Sequence, residues 1–100
     1  MNNIVYQTTA IKDIVDLIDY HVIECDNPAF AEKLFVTITN AISNLKEMPL
    51  LGTLVEEYPY KLLQIRKLIV SSYVIFYKYD SGTIYVIRVL HCRQEWQEYL

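Results

Sequence analysis

Apolar residues at Ile11, Ile14, Val15, Ile18 and Val22 recur at three- and four-residue spacing, while Lys12, Asp13, Asp16 and Asp19 take the other face. That period predicts an amphipathic helix. A short β-rich run, Asn3 to Gln7, precedes it as a first strand, and Thr8 or Thr9 is placed to cap the helix. Asp26-Asn27-Pro28 restarts the pattern, because Asn caps free N–H groups and Pro fits a first turn where its missing donor costs nothing. The second helix buries Ala31, Leu34, Phe35, Ile38, Ile42 and Leu45 and is expected to run to Pro49. Few residues separate the two helices, which implies an antiparallel helical hairpin.

Beyond Pro49, Gly52 and Pro59 the composition turns β-branched and aromatic. Three strands are expected, Lys61 to Leu68, Val70 to Tyr79 and Thr83 to His91. Asp80-Ser81-Gly82 reads as a tight hairpin turn, so the last two strands are antiparallel neighbours. In the final strand, alternation puts Tyr85, Ile87, Val89 and His91 on one face and Ile84, Val86, Arg88 and Leu90 on the other. Both faces are largely apolar, which predicts a central strand covered on both sides. Gln94 to Leu100 is a short tail with helical turns. The order β-α-α-β-β-β describes an α+β fold, a helical hairpin packed on a small, mainly antiparallel sheet.

A chain of 100 residues suits one domain, spanning residues 1–100. No run approaches the roughly 18 apolar residues of a membrane span, and no segment reads as a secretory signal, so the expected compartment is the cytoplasm. Cys25 and Cys92 lie far apart in sequence and fit ordinary reduced thiols, with no metal site and no cofactor implied. The net charge of −3 and pI near 5.2 argue against wholesale phosphate binding. The distribution is uneven, however. Residues 1–57 hold three lysines against nine acids, a net −6, whereas residues 58–100 hold six basic residues against three acids, a net +3. An anionic partner would meet the second half.

The segments Arg66-Lys67-Leu68-Ile69-Val70, Tyr73-Val74-Ile75-Phe76-Tyr77 and Ile84 to Arg93, the last containing Arg88-Val89-Leu90-His91-Cys92-Arg93, resemble the RelE/ParE superfamily of bacterial toxins. Asp19-Tyr20, Asn27-Pro28 and Met48-Pro49 followed by Gly52 agree in order and spacing, so the similarity covers essentially the whole chain. The resemblance implies the toxin of a type II toxin–antitoxin pair, neutralised by a cognate antitoxin. Two activities are implied. RelE-like members cleave messenger RNA on the ribosome, which is the first expectation, whereas ParE-like members poison DNA gyrase without nuclease chemistry. A catalytically inactive, antitoxin-binding relative is a third possibility.

Metal-independent RNA cleavage needs proton transfer and cations for the phosphorane. Arg66, His91 and Arg93 are the candidate set, with His91 as acid or base and the arginines on phosphate. Tyr99 and Trp96 are candidates for stacking a base, and Lys61 for a further substrate contact. Each has a plainer reading. His91 can close a strand as a satisfied ring, and the arginines can be solvated edge residues. Arg88, between Ile87 and Val89, fits an ion pair with an acidic helix residue. His21 fits a structural, partly exposed histidine, the Asp13, Asp16 and Asp19 row a solvated face, and Glu56 or Glu57 an alternative base.

Overall fold

The structure is a computed structural model that describes residues 2–100. The chain runs β1 (Asn3–Tyr6), α1 (Thr8–Asp19), one π-helical turn (Tyr20–Glu24), α2 (Pro28–Asn44), β2 (Thr53–Leu54), β3 (Ile65–Val70), β4 (Tyr73–Asp80) and β5 (Thr83–His91), with a 3₁₀ turn at Trp96–Glu98. The fold is α+β, two helices on a five-stranded sheet of order β1-β5-β4-β3-β2. β1 lies parallel to β5 and every other pairing is antiparallel.

Local signals account for most boundaries. The Asn27 side chain accepts a hydrogen bond from the Phe30 amide at 3.2 Å, and Pro28 occupies the first turn of α2. Ser81 and Gly82 both take positive φ, 49° and 83°, as the two-residue hairpin between β4 and β5 requires. Other boundaries moved. The residue capping α1 is Gln7, with no side-chain cap bond, because Thr9 turns instead to donate to the Ile87 carbonyl at 2.8 Å. α2 stops at Asn44, short of Pro49, and shorter i→i+3 bonds such as Lys46 to Ser43 tighten the chain after it. Residues 61–64 form turns rather than strand, so β3 starts at Ile65.

The face assignment of β5 also differs. Phe76 stands opposite Arg88 and Tyr77 opposite Val86, a bulge that leaves Ile87 without a register partner. One extra residue reverses the alternation beyond it. Ile84, Val86 and Val89 therefore share the main core with Ile14, Leu17, Leu34, Ile38, Ile42, Ile75 and Tyr77, under the helices. Ile87 and Leu90 face away, into a second cluster with Val55, Ile65, Phe76, Tyr60 and Trp96. The sheet is covered on both sides, by helices on one and by a loop and the C-terminal tail on the other.

Candidate functional site

Arg66 is the second residue of β3 and pairs with Tyr77 of β4 and Leu54 of β2. Its Nη1 donates to the Gly52 carbonyl at 2.7 Å and weakly to that of Leu50 at 3.4 Å. Beside it the buried Tyr77 hydroxyl donates to the Pro49 carbonyl at 2.9 Å and accepts from the Gly52 amide at 2.8 Å. These four hydrogen bonds fasten the loop between α2 and β2. Gly52 is required there, since a Cβ would lie 2.8 Å from both the Lys67 carbonyl oxygen and the Tyr77 ring.

His91 ends β5, at the opposite end of the strands from Arg66. It pairs with Tyr73, which pairs with Val70 at the far end of β3 from Arg66. Arg66 and Val70 are four steps apart along β3, roughly 13 Å at about 3.3 Å per step. The expected joint phosphate site of Arg66, His91 and Arg93 is therefore not assembled: β3 and β5 run in the same direction, and Arg66 enters one where His91 leaves the other. His91 and Arg93 do remain together, the Arg93 amide donating to His91 Nδ1 at 3.1 Å while the His91 amide donates to Gln94 Oε1 at 2.7 Å.

The remaining candidates separate similarly. Trp96 packs edge-on to Tyr60 and tilted against Phe76, so its ring is committed to the second core cluster. Lys61 sits in the turns before β3, 3.1 Å from Glu56 and 5.9 Å above the Tyr58 ring, on the Arg66 side. Tyr99 is exposed, with its ring 5.4 Å from the Arg88 guanidinium.

Arg88 is held as expected by an acid of the first helix. Its Nε and Nη2 each donate to Asp13 at 2.7 Å, and Nη1 donates to the Tyr99 carbonyl at 2.9 Å. The bonds to Asp13 push the Arg88 pKa up. Asp13 also accepts from the Val89 amide at 2.9 Å. Its expected place on a solvated face is thus corrected: the side chain is 11% exposed, because α1 runs along the edge of β5 that β1 leaves open.

Next to this pair lies a cleft of about 900 Å³ between α1, the π-helical turn and the His91 end of the sheet. His21 Nε2 stands 3.5 Å from the Tyr73 hydroxyl, and the His91 ring meets the Tyr73 ring edge-on at 5.3 Å. Burial pushes the Tyr73 phenol up. Tyr73 at the centre of two histidines 70 residues apart in sequence was not foreseen. Only strand register reveals it; the Ser71-Ser72 turn is the one local hint.

A family model described as "ParE toxin of type II toxin-antitoxin system, parDE" matches residues 4–96. No curated protein matches. Among solved structures, one described as "Chromosomal ParDE TA system from P. aeruginosa" superposes with a TM-score of 0.75 over 91% of this chain and 96% of that chain, at 17% identity, a likeness of fold. With the helical hairpin, the sheet order and a family match over nearly its whole length, the chain belongs to the ParE toxins of type II toxin–antitoxin systems.

Proposed function

We propose that the chain arrests growth by binding DNA gyrase, the target that the resemblance implies for ParE-like members, and that a cognate antitoxin neutralises it. The observation that carries this reading is the separation of Arg66 from His91 by the register of β3, β4 and β5. A phosphorane needs its cations converging on one point, and here Arg66 is spent on the Gly52 carbonyl and Lys61 pairs with Glu56. The acidic balance of residues 1–57 favours a protein surface over RNA as the partner. No helix among the described residues is long and apolar enough to cross a membrane.

Ribosome-dependent RNA cleavage is the second reading, favoured by His91 and Arg93 lying two residues apart where the chain leaves β5. One experiment separates the two. Purified chain is added to a gyrase supercoiling reaction and, in parallel, to translating ribosomes whose messenger RNA ends are mapped, with His91→Ala as control. Loss of supercoiling with intact messages supports the gyrase reading. Discrete cuts made by the wild type and lost in His91→Ala would move the assignment to the nuclease.

A further inference from the structure

The cleft at the His91 end of the sheet is lined mostly by residues that the gyrase reading leaves without a role, and of the nuclease candidates only His91 and Tyr99 reach it. Its lining is aromatic: Tyr20 meets His21 edge-on at 5.2 Å, His21 meets Phe30 at 4.8 Å, and Tyr73 meets His91 at 5.3 Å. Rings in such edge-to-face chains leave faces and edges on which a further ring continues the pattern. Leu17 and Leu34 supply an apolar floor, and the Ser71 and Ser72 turn a polar rim.

Charge selects the kind of occupant. Every charged side chain lining the cleft is paired within it, Lys12 with Asp16 at 2.8 Å and Arg88 with Asp13 at 2.7 Å. A phosphate meets no spare cation and an ammonium no spare carboxylate, so a neutral group matches best. Polarity narrows it further. The contact of 3.5 Å between His21 Nε2 and the Tyr73 hydroxyl is at the limit of a hydrogen bond, which leaves both atoms able to improve their bonding to an arriving N–H or O–H. The neighbouring π-helical turn, Tyr20–Glu24, is closed by the Cys25 amide bonding to the Tyr20 carbonyl at 3.1 Å. Such turns are rare and concentrate at functional sites. Mostly apolar clefts with a few convergent polar groups are the usual form of a binding pocket.

We propose that this cleft is the socket for a neutral aromatic side chain, tryptophan or tyrosine, presented by the protein that the chain inhibits. The ring lies against Phe30 and Leu34 and its N–H or O–H reaches the His21–Tyr73 pair. The identity of the inhibited protein rests on the reading above; the chemistry of the socket does not.

The test titrates the full chain with N-acetyl-tryptophanamide and follows backbone amide shifts, with N-acetyl-lysinamide and uridine monophosphate as comparators. Saturable shifts are expected at His21, Ser72, Tyr73 and His91, with the comparators at least about tenfold weaker. Ser72→Trp fills the cleft while keeping the Ser72 carbonyl that accepts from Cys92, and it should abolish the shifts. Tyr73→Phe should weaken binding about tenfold, one hydrogen bond's worth. Melting temperatures establish that both variants are folded. Equal binding of a comparator, shifts elsewhere, no saturation, or an unaffected Ser72→Trp would each overturn the socket. In the supercoiling reaction, Ser72→Trp should lose inhibition, and full retention would also overturn it. A wild type inert toward gyrase overturns only the target, and tryptophanamide binding in that preparation still supports the socket.

Discussion

At Arg88 a guanidinium stands between Ile87 and Val89 in an otherwise apolar strand, 18% exposed and bonded twice to Asp13. Arg88→Met keeps most of the stem but leaves the Asp13 carboxylate without its partner at the sheet edge, so it should cost about 3 kcal/mol in chemical denaturation. Replacing both members, Asp13→Leu with Arg88→Met, should recover most of that, because a buried pair is often no better than apolar groups of similar shape. About 1 kcal/mol should stay lost, since the Val89 amide no longer has its acceptor. A single Arg88→Met variant within 0.5 kcal/mol of wild type would sink this account. Arg66 behaves differently. Its contacts are with the Gly52 and Leu50 carbonyls, so Arg66→Met should lower stability by about 1.5–3 kcal/mol without changing growth arrest per folded molecule. A drop in toxicity at unchanged melting temperature would instead restore Arg66 to the functional site.

Between elements, the outer edge of β5 is closed in two ways. β1 pairs with its first half, Thr83 to Val86, and α1 closes the second half with Thr9 on the Ile87 carbonyl and Asp13 on the Val89 amide. In Asp13→Leu/Arg88→Met, amide exchange at Val89 should speed up at least about tenfold, equivalent to about 1.4 kcal/mol of local protection, while Ile84, beneath β1, stays slow. Equal acceleration at both amides would mean global loosening instead. What sequence could show at this scale was what is local. Asn27-Pro28, the Ser81-Gly82 turn and the helical spacing of Leu34, Ile38 and Ile42 each act within a few residues of themselves. The bulge at Ile87 was not legible, because nothing within β5 marks it; it is set by Phe76 and Tyr77 across the ladder. β2 is two residues long and carries no period. The distance between Arg66 and His91 depended on β3 starting at Ile65, after turns that composition alone read as strand. For the same reason His91 with Arg93 was readable as a pair, while His21 with Tyr73 was not.

For the molecule as a whole, its phenols set an alkaline limit to stability. Tyr6, Tyr73 and Tyr77 all have pKa values raised by burial, and for Tyr77 the Gly52 amide and the Arg66 charge oppose that rise only partly. Unfolded phenols titrate near 10. Below that pH all three are protonated in both states, and their contribution to stability is complete. Above it the unfolded chain releases protons that the folded chain retains, so unfolding gains free energy as pH rises until the folded phenols also ionise. The slope is up to about 1.4 kcal/mol per pH unit for each phenol still protonated in the fold. Urea denaturation in steps from pH 8 to 11.5 should therefore give a plateau followed by a steep fall. Tyr77→Phe separates the two roles of that ring. It removes the hydroxyl that joins Pro49 to Gly52, lowering the plateau by about 1–3 kcal/mol, and it removes one titrating group, making the fall above pH 10 shallower by up to about 1.4 kcal/mol per unit. A plateau that extends through pH 11.5, or a Tyr77→Phe variant whose curve is only displaced downward with its slope unchanged, would show that the buried phenols do not govern the alkaline transition.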